Sequence, residues 1–200
     1  DPGFEQEIQQ FYHLNNSITL PGCVVGDIKY NDITDIIHLY YFNQMNSRIL
    51  IEADVYESIE QIPTTLPAWC SAKTCKVEAS GFIDNLEVQK QVTGHLFNKL
   101  SVNLKQPDII YTIKQIGNKI VGGFNLCKKD MHKREYRIFT QSAMLRATVA
   151  ASLLEYAQWN PNKTLLDPLC GCGSIPIEAA LRVAHHSAFH FTKDIFLFVP

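Results

Sequence analysis

The sequence lacks the features of a membrane, secreted or metal-bound protein. No run of 18 apolar residues occurs in its 200 positions, so no membrane-spanning helix is predicted. The first residues lack the basic and apolar regions of a signal peptide. The six cysteines include no CxxC pair, and Cys70 and Cys75, whose spacing a zinc site can use, have no second pair of ligands. We therefore expect a cytoplasmic protein with reduced cysteines and no metal.

An excess of charge of one sign is also missing, since 18 basic and 20 acidic residues give a formal net charge of −2. Only a local patch can therefore indicate a nucleic-acid partner. Residues 128–146 contain six Lys and Arg against Asp130 and Glu135, a local net of +4. Such a patch can hold phosphates, although a solvated linker paired with neighbouring acids would have the same composition. Tyr136 within it could stack on a base or anchor a strand in a core.

The apolar periodicity predicts helices alternating with strands, which indicates an α+β fold. Helices are predicted at 4–14, 31–41, 84–100, 144–159 and 175–184, with a short one beginning at 58–60. Strands are predicted at 23–25, 48–54, 75–79, 109–114, 120–124 and 164–166, with a hairpin turn at Gly117-Asn118.

The predicted strand, Gly-rich turn and helix at 164–184 are the most informative segment. Gly171 and Gly173 allow a sharp turn and a close approach of a ligand, and Ser174 is the predicted N-cap of the helix. Pro176 stands where a dinucleotide-binding GxGxxG loop would have its third glycine. Asp167 would repel a pyrophosphate and suits a cationic ligand, such as the amino and sulfonium groups of S-adenosylmethionine. The alternative is a turn that only packs.

Two segments carry a resemblance to a known family. D-P-L-C-G-C-G-S-I-P-I-E-A-A at 167–180 resembles the D-P-x-C-G-S-G-T-I-P-I-E-A-A motif of THUMP-domain RNA methyltransferases, and M-H-K-R-E-Y-R at 131–137 resembles their L-H-K-R-G-Y-R. The sequence departs from the motifs at Cys172, Ser174 and Glu135, where Ser, Thr and Gly are common. The resemblance extends over residues 66–184.

The resemblance implies a domain order and a set of site residues. The expected order is a ferredoxin-like domain (1–65), a THUMP RNA-binding domain (66–139), and a linker helix with the first βα unit of a Rossmann-like class I methyltransferase domain (140–200). The expected cofactor is S-adenosylmethionine, and the expected partner is RNA, in particular tRNA. The residues expected to bind the cofactor are Asp167, Pro168, Cys170, Gly171, Cys172, Gly173 and Ser174. Those expected to bind RNA are Lys128, Lys129, His132, Lys133, Arg134, Arg137 and Arg146.

The family's N-P-P-aromatic motif, which holds the target guanine, does not occur in the sequence. The acid expected to bind the ribose of the donor is not identifiable either. We therefore expect a truncated chain that is inactive alone, from a parent enzyme that methylates N2 of guanine in tRNA. The alternatives are an rRNA guanine-N2 methyltransferase, a non-catalytic THUMP adaptor that binds RNA, and a nucleotide-binding α/β enzyme.

Overall fold

The computed structural model describes residues 15–27, 48–138 and 144–189. The chain divides into two compact units. Among the described residues, unit 1 contains 15–27 and 50–128, and unit 2 contains 48–49, 129–138 and 144–189. The helices predicted at 4–14 and 31–41 lie outside the described residues.

Unit 1 contains a β-hairpin and a five-stranded mixed sheet. The hairpin pairs β1 with β2 antiparallel, and the sheet has the order β3-β7-β6-β4-β5. The elements are β1 (Asn15–Leu20), β2 (Cys23–Asp27), β3 (Leu50–Tyr56), a 3-10 turn (Ile59–Gln61), β4 (Thr74–Ser80), α1 (Asn85–Leu96), β5 (Ser101–Val102), β6 (Ile109–Ile116) and β7 (Lys119–Asn125). The patterns did not predict β1, which begins with Asn15-Asn16-Ser17, or the two-residue β5.

The strand directions explain why β3 belongs to the same sheet as the later strands. β4 runs parallel to β6 and β5, with α1 in the chain between β4 and β5, while β7 is antiparallel to both β6 and β3. Leu50 pairs with Asn125, and Tyr56 pairs with Ile120. A domain boundary at residue 65 would separate β3 from β7. The predicted boundary between 1–65 and 66–139 therefore falls inside one compact unit.

Helix α1 shows how local sequence and core packing set the ends of an element. The carboxylate of Asp84 accepts a hydrogen bond from the backbone N–H of Glu87 at 3.0 Å, which is N-capping geometry. The helix ends at Leu96, four residues before the predicted end, because Phe97 leaves the helical conformation and is buried. The rings of Phe97 and Tyr111 meet edge to face, with centroids 6.0 Å apart. This aromatic contact lies in the core between helix and sheet.

The predicted hairpin turn is confirmed, with one difference. Ile116 pairs with Lys119, so Gly117 and Asn118 form a two-residue loop. Gly117 takes a φ of 63°, whereas Asn118 does not have positive φ. Glycine is therefore needed at the first position only.

The described part of unit 2 contains two helices, α2 (Ala147–Tyr156) and α3 (Ser174–Val183). Arg182 of α3 donates to the carboxylate of Glu155 on α2 at 2.8 Å. Small buried residues allow helices to pack closely, and Ala147, Ala150 and Ala151 of α2 are fully buried.

Two predictions for this region were wrong. Residues 164–166 form no strand, because none of the described residues supplies a hydrogen-bonded partner for them. Ser174 is not the N-cap of α3. That position belongs to Gly173, with a φ of 77°, and Ser174 is the first residue of the helix and is buried.

Candidate functional site

The Gly-rich loop turns twice through the left-handed region before α3 begins. Gly171 has a φ of 56° and Gly173 a φ of 77°. The backbone N–H of Gly173 donates to the carbonyl of Cys170 at 2.8 Å, which closes the turn. A residue with a Cβ atom would be strained at both positions. The two predicted glycines therefore have the conformational role expected of them.

The loop surface is open. Leu169 is 92% exposed and Cys170 is also exposed. A Cβ atom built on Gly171 would contact nothing within 4 Å. Asp167 is half-buried, and no group in the described ranges donates a hydrogen bond to its carboxylate. Within the described ranges, the loop thus presents exposed backbone and a carboxylate without a hydrogen-bond donor on one short segment.

The start of α3 adds a second kind of charge to this site. The first helical hydrogen bond runs from the N–H of Ile177 to the carbonyl of Gly173, at 2.9 Å. The N–H groups before it have no partner within the helix, and they carry the positive end of the helix dipole. A helix N-terminus favours a carboxylate, and Asp167 favours a cation. The arrangement can therefore hold an amino-acid-like ligand that carries both charges.

A buried polar cluster lies on the inner side of α3. We call Arg134, Tyr136 and Glu178 the anchor cluster. The carboxylate of Glu178 accepts from Arg134 Nε at 3.1 Å and from the Tyr136 hydroxyl at 2.5 Å. The Arg134 and Glu178 side chains are both 0% exposed. Burial, and next the nearby Glu178 charge, raise the pKa of Tyr136, so its hydroxyl stays protonated and donates.

Arg134 makes further contacts inside unit 2. Its Nη1 donates to the carbonyl of Met131, and its guanidinium lies 5.2 Å from the ring centroid of Phe189. A buried guanidinium needs this many partners because it cannot lose its charge. The anchor cluster therefore ties the segment around Arg134 to the second turn of α3.

A second tie joins the same segment to the first turn of α3. Arg137 Nη2 donates to Ser174 Oγ at 3.2 Å and to the carbonyl of Leu145. Ser174 Oγ in turn donates to the carbonyl of Leu145 at 3.1 Å. Cys172 Sγ lies 3.3 Å from Ser174 Oγ. The hydroxyl of Ser174 thus holds the helix start in place rather than capping its backbone.

The structure separates the predicted RNA-binding residues into exposed and buried groups. Lys128, Lys129, Lys133 and Arg146 are exposed, and His132 and Arg137 are half-buried. Lys129 lies 3.3 Å from Glu135, and Lys133 lies 3.4 Å from Asp130. Arg134, which was also predicted to bind RNA, differs from the other six because its charge is enclosed and paired with Glu178.

His132 shows that three of these cations lie near one another. Burial is the largest cause that lowers its pKa, and the charges of Lys133, Arg146 and Arg137 lower it further. Asp130 acts in the opposite direction. His132 is therefore neutral near pH 7, and the lysines and arginines supply the positive charge of the patch.

Glu178 was assigned no role from the sequence. Glu178 lies on α3 next to the buried Ala179, in a helix rich in apolar residues. A carboxylate at a buried helical position requires a cationic partner. The sequence therefore indicates that Glu178 needs a cationic partner, but it does not identify which residue that partner is. Arg134 lies 44 positions away and had been placed with the RNA-binding residues. For Tyr136 the structure supports the anchor interpretation rather than base stacking.

All six cysteines are free thiols. Within 15–27, 48–138 and 144–189, no three His, Cys, Asp or Glu side chains are placed to share a metal ion. No helix in those ranges has the length and apolar character needed to cross a bilayer.

The C-terminal part of the chain is similar to a known class of protein domain. Residues 134–198 match the family model described as UPF0020, RMKL-like, methyltransferase domain. The match contains the Gly-rich loop, α2, α3 and the anchor cluster. This part of the chain is therefore similar to a methyltransferase domain.

Individual relatives are RNA methyltransferases by name. The chain is 42% identical over 86 residues to a tRNA (guanine(6)-N2)-methyltransferase of Archaeoglobus fulgidus, an alignment covering 42% of this chain and 22% of the relative. It is 30% identical over 187 residues to the ribosomal RNA large subunit methyltransferase K/L of Aliivibrio fischeri, covering 82% of this chain and 26% of the relative. The chain thus spans about a quarter of the length of these relatives.

Solved structures share the fold. A protein described as a methyltransferase and crystallised with SAH superposes with a TM-score of 0.65 at 18% identity, covering 98% of this chain and 56% of that one. TrmN from Thermus thermophilus gives a TM-score of 0.56 at 20% identity, covering 90% of this chain and 57% of that one. The names of the relatives agree with the predicted RNA methyltransferase class, whereas the two solved structures, at 18% and 20% identity, show the fold alone. The ferredoxin-like and THUMP assignments stay predictions.

Proposed function

We propose that the chain is the RNA-binding and donor-binding part of an S-adenosylmethionine-dependent RNA methyltransferase that acts on N2 of a guanine in tRNA. One observation carries the proposal. An open loop with two left-handed glycines lies between the carboxylate of Asp167 and the N-terminus of α3, inside the segment that matches a methyltransferase domain.

The methionine end of the donor has the charges that this loop suits. The carboxylate of Asp167 would attract the amino and sulfonium groups, and the free N–H groups of α3 would face the carboxylate of the donor. Gly171 and Gly173 would let the backbone approach the ligand closely. Pro168 and Cys170, both exposed, would lie along the same edge, and Cys172 and Ser174 would support the loop from below.

The RNA would be held by the exposed cations that precede α2. Lys129 and Lys133 each have an exposed ammonium group, and their ion-pair partners among the described residues are Glu135 at 3.3 Å and Asp130 at 3.4 Å. Ion pairs with an exposed member are weak. A phosphate can replace the carboxylate at little cost. Lys133, Arg146 and the half-buried Arg137 all lie near the neutral His132, so the patch extends to these residues. Lys128 carries a further exposed charge at the end of unit 1.

The donor supplies an electrophilic methyl group on a sulfonium. Transfer breaks the carbon–sulfur bond and forms a carbon–nitrogen bond at N2 of guanine, which loses a proton to solvent, and SAH leaves. The residues of this chain would orient the donor and hold the RNA, because positioning can supply much of the rate in such a direct transfer. None of its residues is assigned to hold the target base.

Binding of SAH to the protein tests the proposal. Titration calorimetry should detect binding to the wild type, and Asp167→Asn should weaken it about tenfold or more, because an ionic hydrogen bond contributes roughly 1.5–3 kcal/mol. Glu87→Gln is the matched control, since Glu87 is a surface acid on α1 with an ion pair to Lys90 at 3.7 Å. Failure of the wild type to bind SAH would overturn the proposal. Equal binding by Asp167→Asn would remove Asp167 from the site.

A second substrate is favoured by alignment coverage. The similarity to the ribosomal RNA methyltransferase extends over 82% of the chain, against 42% for the tRNA methyltransferase, although the identity is lower. The affinity of the protein for tRNA and for large-subunit rRNA should be measured at the same salt concentration. Tighter binding of tRNA supports the first substrate, and tighter binding of rRNA supports the second.

A further inference from the structure

The segment 129–137 has two sets of side chains that face in different directions. Arg134, Tyr136 and Arg137 point inward and bind α3. Lys129 and Lys133 point outward, with side chains that are 65% and 67% exposed. Lys133 of the outward set and Arg134 of the inward set are adjacent in the chain. The segment therefore cannot move at one face without moving at the other.

The inward side chains bind two successive turns of α3. Arg137 contacts Ser174, the first residue of the helix, while Arg134 and Tyr136 contact Glu178, four residues later on the same face. Ser174 follows directly after Gly173 of the donor loop. The position of the loop at the helix start is therefore set by the same segment that carries the exposed lysines.

The hydrogen bonds to Glu178 also require a defined orientation of the side chains that donate them. The guanidinium of Arg134 is planar and reaches Glu178 through Nε at 3.1 Å and Nη2 at 3.5 Å. The phenol of Tyr136 shares Oε1 of the same carboxylate. Because the charges are fully enclosed, any displacement of the segment that breaks this pairing is costly. A buried, saturated cluster of this kind has few alternative arrangements.

We propose that Arg134, Tyr136 and Arg137 are positioning residues that couple RNA binding on Lys129 and Lys133 to donor binding at the Gly171–Gly173 loop. The inference rests on the function proposed above. RNA that holds the outer face of the segment fixes the inner face, and the inner face fixes the start of α3. Each ligand then binds to a loop and segment that the other has already ordered.

Linkage requires that this coupling be reciprocal. The factor by which RNA raises the affinity for SAH must equal the factor by which SAH raises the affinity for RNA. We expect a factor of about five or more, at the lower end of the usual range for coupled sites.

The test measures SAH affinity with and without saturating bulk tRNA, and tRNA affinity with and without SAH. Tyr136→Phe removes one hydroxyl from the anchor cluster and keeps the ring, so the protein should fold. We expect it to lower the coupling factor at least twofold, with smaller changes in the affinity for each ligand alone. Glu178→Gln, which keeps the shape and removes the charge, should lower the factor further.

Arg182→Gln is the matched control. It breaks a partly buried ion pair between α3 and Glu155 of α2, with a distance of 2.8 Å, and keeps the three side chains of segment 129–137 that bind α3. A merely structural role for the anchor cluster predicts that Arg182→Gln and Tyr136→Phe lower the factor equally, and that result overturns the inference. A wild-type coupling factor near one, with both ligands bound, overturns the inference alone. Absence of SAH or tRNA binding overturns the proposed function as well.

Discussion

The interiors of the two units contain different kinds of interaction. Unit 1 has an apolar core in which Val92, Phe97, Tyr111 and Ile113 are almost completely buried between α1 and the sheet. Unit 2 encloses the ion pair of Arg134 and Glu178. Apolar packing tolerates many residues of suitable volume, whereas a buried ion pair tolerates no loss of one partner.

This difference suggests a division of tasks. A core made of apolar side chains supplies stability without fixing any one residue. The polar contacts around α3 are directional, so they hold the Gly-rich loop at a defined place. Directional contacts are most useful beside a site that must match a ligand. Variants at Glu178 in unit 2 and at Val92 in unit 1 test whether the two units depend on their interiors in these different ways.

The largest effect is expected at Glu178. Glu178→Ala leaves the enclosed charge of Arg134 unpaired and also removes the acceptor of the Tyr136 hydroxyl. We expect the free energy of unfolding to fall by about 3–5 kcal/mol. Guanidinium unfolding followed by circular dichroism, with hydrogen exchange to locate the loss on α3, measures it.

A double variant sharpens this prediction. Arg134→Met with Glu178→Leu removes both charges, so no buried charge is left alone, and it should be markedly more stable than Glu178→Ala. If the double variant is equally destabilised, the unit depends on the geometry of the polar contacts rather than on the pairing of charge.

Val92 on α1 provides the corresponding test of unit 1. Its side chain is 0% exposed, and Val92→Ala should lower the free energy of unfolding by roughly 2 kcal/mol, because buried methyl groups are removed and a small cavity is left behind. Val102 is 58% exposed, so Val102→Ala should change it by less than about 0.5 kcal/mol. Similar losses for the two variants would contradict the location of the core.

A smaller effect is expected at Asp108, just before β6. Its carboxylate accepts from the backbone N–H of Lys73 at 2.9 Å and of Thr74 at 2.8 Å, which lowers its pKa below the ordinary 3.8. Asp108→Asn should cost about 1 kcal/mol, discounted for its exposure.

The pH dependence of this contribution has a definite sign. The folded-state pKa lies below the unfolded value, so the stabilisation is complete above pH 3.8 and is lost as the pH falls further. Unfolding of the wild type measured from pH 5 downward should show this loss. Asp108→Asn should show less of it, and an unchanged slope would contradict the assignment.

The smallest effect is expected at His132 in unit 2. Its pKa lies below the ordinary 6.5 in the folded state, first because of burial and then because of the cations near it. As the pH falls through 6.5, the unfolded chain takes up the proton first, so the free energy of unfolding decreases. His132→Gln should remove this part of the pH dependence. The same slope in wild type and variant would show that His132 is not the group responsible.

Unit 1 could be predicted well from the sequence because its elements follow simple periodicity. The strands β4, β6 and β7 and the helix α1 were found from alternating or helical spacing of apolar residues, and Gly117 marked the hairpin. The end of α1 was missed because packing of Phe97 decides it. The pairing of β3 with β7 was missed because a local pattern of apolar residues does not indicate which distant strand a strand pairs with.

Unit 2 was predicted less completely, for a related physical reason. The glycines and α3 were found because a glycine-rich turn followed by helical spacing of apolar residues leaves a local signal. The role of Ser174 and the burial of Arg134 depend on contacts with residues 29 and 44 positions away, respectively. Glu135 illustrates the same limit. The family pattern has glycine there, yet Glu135 does not have positive φ, so the substitution causes no strain.

The exposure of the six thiols has a practical consequence. Cys75 and Cys127 are buried, Cys23, Cys70 and Cys172 are half-buried, and Cys170 is exposed. A maleimide dye at limiting concentration should therefore label Cys170 first. Since Cys170 is part of the turn that ends at Gly173, the dye would become an optical reporter of occupancy at the Gly-rich loop. The molecule carries its own attachment point for following ligand exchange in real time.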